Sequence, residues 1–282
     1  MFARRLVASA SMTQRLEDVR KLSDRVICVL GQNPGSHTLQ GTNTYLIGTG
    51  KKRILLDTGE GKDEYLPILN KVLEQENIEI QEIICTHWHH DHIGGIPQLT
   101  KENSIPVSKF ADPHDAEFLP DYTFRHIKDS AVFECEGATM VALFTPGHSD
   151  DHLSFWFPEE NSLFSGDCVL GEGTTAFQNL SQYMKSLEIL LEKQPTRIYP
   201  GHGPVIEDGV DRIKEYMKHR IQREEQILEV ISKHKQSTGD NPSVSHIVST
   251  LYPTIPASVV PSAERNVQLH MDKLIADGRL TI

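Results

Sequence analysis

Several absences narrow the class of this 282-residue chain. It has four cysteines, Cys28, Cys85, Cys135 and Cys168, widely spaced and with no C-x-x-C pair. They read as reduced, buried thiols of an intracellular protein. No apolar run approaches the roughly 18 residues of a membrane span, and there is no secretory h-region, so no membrane partner is expected. Positive charge is in deficit: the formal net charge is −11, which argues against broad nonspecific nucleic-acid binding. The deficit is uneven. Residues 203 to 282 hold 10 Lys and Arg against 11 Asp and Glu, so almost all of the excess lies in the body. Hydrophobic content of 38% and charged content of 24% are those of a soluble globular protein. The length implies two domains, or one large domain with an extension.

What the chain does have is histidine in one place. In Thr86-His87-Trp88-His89-His90-Asp91-His92, four of the six residues from 87 to 92 are histidine, out of 14 in the whole chain. A core does not easily bury four imidazoles with an aspartate, whereas neutral imidazole and carboxylate are ligands that zinc, iron and manganese accept. The apolar run at 80–85 before the cluster and Gly94-Gly95 after it predict a strand, a loop and a helix start. In extended backbone, alternate residues point the same way, so His87 and His89 can face one metal while Asp91 and His92 turn toward a second.

Three more candidates follow strand-like runs: His148 after 140–144, Asp167 after 162–165 and His202 after 196–199. Asp57-Thr58-Gly59 follows a fourth such run, 53–56. Each glycine-containing turn alone is weak evidence. Together, Asp57, His87-x-His89-x-Asp91-His92, His148, Asp167 and His202 resemble the signature of the metallo-β-lactamase superfamily, residue for residue, over about positions 25 to 205. The resemblance implies a four-layer αβ/βα sandwich and a dinuclear centre. His87, His89 and His148 hold one metal, Asp91, His92 and His202 the other, and Asp167 bridges them. Asp57 fixes the orientation of the ligand loop from behind. The expected cofactors are two Zn2+ per chain, with Mn or Fe not excluded. Such centres share a hydroxide generated at neutral pH, and Asp91 is placed both to ligate and to hold a proton. Part of the acidic excess is then ligating aspartate, which bound cations would offset. His152 in Ser149-Asp150-Asp151-His152 matches no ligand and reads as the start of a strand. Cys168 should point away from Asp167.

Taken in order, residues 1–16 carry Arg4, Arg5 and hydroxyl residues before the first acid, Glu17. They read either as a transit peptide to the mitochondrial matrix or as a flexible tail of a cytoplasmic protein. Residues 17–205 form the expected metal-binding domain. Alternation predicts strands at 26–30 and 44–47, with a polar loop at 33–43 that is either a cleft wall or a plain hairpin connection. Helices are predicted at 63–77 and 178–193. Residues 101–137 are the least readable; Asp112, His114 and His126 there read as surface polar. The segment 206–282 changes character: a long helix at 208–235, shorter helices near 243–251 and 262–277, and a short strand at 280–282. This looks like a small winged-helix module, serving either as a packing appendage or as a nucleic-acid contact.

The metal centre implies hydrolysis without naming the substrate. Runs at 39–46, 86–89, 164–175 and 199–206 are similar to a mitochondrial branch of the superfamily. That resemblance implies an endoribonuclease cutting single-stranded RNA with zinc. The large inserted cap of another RNA-processing branch is not visible, so loops and the C-terminal module would have to bind RNA. A glyoxalase II-like thioesterase shares all seven ligands and would use Lys214 or Arg220 for its anionic substrate. A metal-stabilised RNA-binding protein without turnover is the third reading. Candidate substrate contacts are Asn43, Thr174, Lys214 and Arg220. Monomer and homodimer both remain open.

Overall fold

The computed structural model describes residues 15–101, 104–119 and 122–281. Most of the segment read as a transit peptide or tail, residues 1–14, lies outside them. The chain divides into two compact units, Arg15–Lys214 and a second from Glu215 onward.

The first unit contains two sheets. Strands β1 (Val19–Lys21), β2 (Val26–Leu30), β3 (Asn43–Ile47) and β4 (Lys52–Leu56) form an antiparallel meander. Helix α1 (Tyr65–Gln75) then returns the chain so that β5 (Glu79–Ile84) lies parallel to β4. Two short helices follow, α2 (His90–Ile93) and α3 (Ile96–Thr100). Strand β6 (Val107–Lys109), helix α4 (Asp115–Phe118) and strand β7 (Arg125–His126) complete a seven-stranded sheet ordered β1 to β7. The second sheet has the order β12-β11-β10-β9-β8, from β8 (Val132–Cys135), β9 (Ala138–Phe144), β10 (Leu153–Phe157), β11 (Ser162–Gly166) and β12 (Arg197–Pro200). Helix α5 (Leu180–Glu192) links β11 to β12, which run parallel.

The period-two alternation of side chains explains how one sheet serves two cores. On β2, Val26 and Cys28 face the second sheet, where they meet Met140, Ala142, Phe155 and Phe164. Ile27 and Val29 face the other way, onto Tyr65, Leu69 and Val72 of α1. Each such side chain contributes about 1.5–3 kcal/mol on burial, so α1 is held by its apolar stripe. On α5, Leu180, Met184, Leu187 and Leu190 are buried. Asn179 caps its N-terminus, the side chain accepting from the Gln182 N–H at 3.0 Å. Two sheets flanked by helices are the expected fold class.

The second unit contains most of helix α6 (Gly209–Thr238), which begins in the first, together with α7 (Val244–Leu251) and α8 (Val260–Ala276). Ile227, Ile231, Ile247, Val267, Met271 and Leu274 form its core. The expected strand at 280–282 is not formed among the described residues. Instead, Gly278 turns left-handed with φ +68°, and the Arg279 and Leu280 N–H groups both donate to the Leu274 carbonyl. The tail thus closes the C-terminus of α8, satisfying its end carbonyls as a Gly cap does, rather than pairing in a sheet.

No helix among the described residues is long and apolar enough to cross a membrane.

Candidate metal centre

The two sheets deliver their strand ends to one place. Asp57 follows β4, and Thr86 and His87 follow the parallel β5. Asp167 follows β11 and His202 follows β12. His148 lies in the turn from β9 to β10. All seven predicted ligands converge, in the groups His87, His89 and His148; His87, His92 and Asp167; and Asp91, His92 and His202. Gly201 makes the approach possible: a Cβ there would overlap Asp167 Oδ1.

The contacts divide into two positions. His89 Nδ1 lies 3.0 Å from both His87 Nε2 and His148 Nε2. His202 Nε2 lies 3.1 Å from Asp91 Oδ2, and His92 Nε2 lies 3.4 Å from the same oxygen. Asp167 stands between: Oδ1 is 3.3 Å from His202 and 3.5 Å from His92, while Oδ2 is 3.6 Å from His148. Ligands about 2.0–2.1 Å from one tetrahedral ion stand about 3.3 Å from each other, so these separations fit two ions sharing Asp167.

The outer hydrogen bonds aim the lone pairs inward. His148 Nδ1 donates to the Ala176 carbonyl (2.8 Å), which leaves Nε2 without a proton when the ring is neutral. Asp57 accepts from the Thr86 N–H at 2.8 Å and from His92 Nδ1 at 2.8 Å. The Thr86 hydroxyl donates to the same carboxylate and accepts from His87 Nδ1 (2.9 Å). One buried carboxylate therefore sets His92 directly and His87 through a hydroxyl. His92 Nε2 and Asp167 Oδ1 are buried without a hydrogen-bond partner among the described residues. Such orphaned atoms are costly, and a shared cation would satisfy both. The donor set of imidazoles and carboxylates fits a divalent metal at each position.

Electrostatics separates the two positions. Burial, with the neighbouring imidazoles, pushes His87 well below its ordinary value, and burial holds His89 down to about 4. The first position is thus a cluster of neutral imidazoles. At the second, burial again disfavours charge on His92, but Asp91, Asp57 and Asp167 outweigh it and push the group well above its ordinary value. His202 is likewise pushed up to about 9, Asp167 and Asp91 overcoming its burial. Burial raises Asp91 and Asp167, yet the facing histidines more than reverse this and both stay well below the usual carboxylate range. The second position therefore favours positive charge, as a cation site would.

Three residues outside the predicted ligand set lie against the centre or the loops that carry it. His152 is wholly buried; its Nε2 accepts from the Asp167 N–H (3.0 Å), and Nδ1 meets the Thr145 hydroxyl (3.0 Å). It is no ligand, but it holds the backbone of the shared carboxylate. Lys109 on β6, also wholly buried, contacts Asp115 at 2.6 Å and Asp151 at 3.1 Å. That pair pins the turn that carries His148. Burial pushes Asp151 up to about 6 despite Lys109. His114, expected as a surface residue, is exposed but stacks on Trp88 with ring centroids 4.2 Å apart.

The four substrate-contact expectations fare differently. Asn43 is 1% exposed, its amide bonded to the carbonyls of Pro200 and Gly203 (both 2.9 Å), so it braces the His202 loop rather than meeting solvent. Arg220 is 3% exposed and is not offered to a substrate. Thr174 and Lys214 are exposed. Thr174 adjoins Thr175, whose hydroxyl lies 3.2 Å from His148 Nδ1. The 33–43 loop borders the site, since Thr42 pairs with His202 in an antiparallel bridge. Cys168 is buried and stands in none of the ligand groups, as expected.

Comparison with known proteins identifies the family and the fold. The family model for the metallo-beta-lactamase superfamily matches residues 37–202, and that for the beta-lactamase associated winged helix domain matches residues 243–281. A beta-lactamase-like protein 2 homolog of Caenorhabditis elegans is 44% identical over 268 residues, 93% of this chain and 88% of that protein. Its counterpart in Drosophila melanogaster is 42% identical over 273 residues, covering 94% and 92%. Among solved structures, a beta-lactamase domain protein from Burkholderia ambifaria superposes with a TM-score of 0.80 at 16% identity, covering 96% of this chain and 92% of that one. With its ligand cluster, its two-sheet fold and its C-terminal winged-helix domain, the chain belongs to the metallo-beta-lactamase superfamily.

Proposed function

We propose that this protein is a two-zinc endoribonuclease acting on single-stranded RNA. The observation that carries the two-metal part is Asp167, one oxygen facing His148 and the other facing His202 and His92. The endoribonuclease part is supported by the resemblance of the runs at 39–46, 86–89, 164–175 and 199–206 to an RNA-cutting branch of the superfamily. His87, His89 and His148 would hold one zinc, Asp91, His92 and His202 the other, with Asp167 common to both. Bound zinc supplies Lewis acidity and ionises water near neutral pH.

The chain's own residues do the rest. Asp91 is the more exposed of the two ligand carboxylates, its side chain 23% accessible against 10% for Asp167. It is held ionised by His92 and His202, despite the opposing effect of burial. As the carboxylate more open to solvent, it would accept a proton from the attacking water and pass it to the departing oxygen. Asp57, Thr86 and the Ala176 carbonyl keep the imidazoles in the tautomers that leave their inner nitrogens free. The C-terminal residues 203–282 carry nearly balanced charge, so RNA affinity would rest on loop contacts more than on a basic face.

A thioesterase would use the same ligands. It is less favoured because Arg220, one of the two cations expected to hold an acyl-glutathione, is buried. The test is cleavage of a fluorescently labelled single-stranded RNA by the wild type and by Asp91→Ala, with zinc and with chelator. Internal cleavage that needs both zinc and Asp91 is expected. Wild-type protein that holds two zincs, leaves RNA intact and turns over an acyl-glutathione would overturn the reading.

A further inference from the structure

The residues on either side of His202 are held by an amide that belongs to neither metal position. Asn43 opens β3. Its N–H donates to the Gly201 carbonyl at 2.8 Å, and its side-chain Nδ2 donates to the Pro200 and Gly203 carbonyls at 2.9 Å each. Three carbonyls around one ligand are thus gripped by one residue. Tyr45, two residues along β3, adds a hydroxyl to the Pro200 carbonyl at 2.7 Å. The amide has one workable orientation, because a flip would set its oxygen against two carbonyl oxygens. Arg20 on β1 holds that orientation: its Nη2 donates to Asn43 Oδ1 at 2.6 Å and to Cys28 Sγ at 3.0 Å. A hydrogen bond from a cation is shorter and stronger than a neutral one.

We propose that Arg20 and Asn43 form a positioning relay, edge strand to amide to loop, that sets the affinity of the metal position containing His202. Neither residue touches the metal or the substrate. The relay rests on the two-metal reading above. Its consequence is selective, since the position formed by His87, His89 and His148 takes no support from Asn43. Support from behind a ligand is worth about 10–100-fold in metal affinity.

The test uses the full chain, stripped of metal and titrated with Zn2+ against a competing chelator, with thermal unfolding of the metal-free protein measured alongside. In Asn43→Ala the stronger or weaker Zn2+ step assigned to His202 should fall by about 10–100-fold, the other step remaining at its wild-type value. Arg20→Met, at a half-buried edge position, should fall in the same step by a smaller factor. In a His202→Ala background, Asn43→Ala should change neither step further, as expected of residues acting through one another. If Asn43→Ala fails to fold, Arg20→Met decides. Wild-type affinities at both steps, or both steps weakening in parallel with the metal-free melting temperature, would overturn the relay. Wild-type protein taking up a single Zn2+ would overturn the two-metal reading and the relay together.

Discussion

Replacing Asp57 by asparagine tests how the centre is prepared for metal. The two carboxylate oxygens of Asp57 have different duties. Oδ1 accepts from the Thr86 N–H and Oδ2 from His92 Nδ1, each at 2.8 Å. A backbone N–H cannot become an acceptor, so the asparagine oxygen must stay on Thr86 and its NH2 must face His92. That forces His92 to accept at Nδ1 and to carry its proton at Nε2, the atom directed at Asp91 and Asp167. The backbone does not confuse the result, because Asp57 sits at φ +61°, a region asparagine tolerates as well as aspartate. Outer-shell losses of this kind cost about 10–100-fold in metal affinity, or about 1.4–2.7 kcal/mol. Losing a buried charged acceptor costs about 1.5–3 kcal/mol of stability in addition. The assay is Zn2+ competition, together with 15N chemical shifts of His92 to read the tautomer. The expected result is weakened binding at the Asp91–His92–His202 position, with the His87–His89–His148 position preserved through Thr86. Two wild-type Zn2+ affinities in Asp57→Asn would refute the argument.

Other outcomes follow from the same geometry. Asp91→Asn should abolish hydrolysis while the metal-free protein keeps its fold by circular dichroism. Gly201→Ala should displace the Asp167 carboxylate and reduce metal content per chain, which elemental analysis would read. The metal-free protein should be most stable near pH 6.5, as thermal unfolding across pH would show. His202 and His92 are raised in the folded state, so the stability they give is full below the unfolded histidine value; the His202 share is lost as pH climbs through about 9, and the His92 share is lost likewise at alkaline pH. His87 and His89 are lowered, so stability also falls as pH drops below about 6.5, where the unfolded chain takes up protons that the folded chain refuses. Metal loading should flatten the alkaline limb, because the cation replaces those two protons.

Much of this centre was legible because a histidine cluster and three turns after strand-like runs together match the superfamily signature. His87 to His92, His148, Asp167 and His202 needed no knowledge of packing. The strands at 26–30 and 44–47 were equally clear, since alternation carries over directly to the two faces of a sheet, and the run at 53–56 was clear from its apolar character. What escaped was whatever depends on long-range pairing. Strands β1, β6 and β7 have two or three residues each, too few to show a period. His152 looks like the first residue of a strand; only the fold reveals that it accepts from the Asp167 backbone. Lys109 carries no signal of burial in the sequence; Asp115, six residues on, and Asp151, far along the chain, allow it to be buried. Asn43 sits in a polar glycine-rich loop of the kind that meets substrates, and nothing in the sequence shows that its amide is engaged by Pro200 and Gly203.

The most direct measurement for the central claim is a crystal structure of the zinc-loaded protein with anomalous data at the zinc edge. Two peaks about 3.5–4 Å apart, one among His87, His89 and His148, the other among Asp91, His92 and His202, with Asp167 touching both, are predicted. A single peak, or two peaks of which Asp167 touches only one, would contradict it.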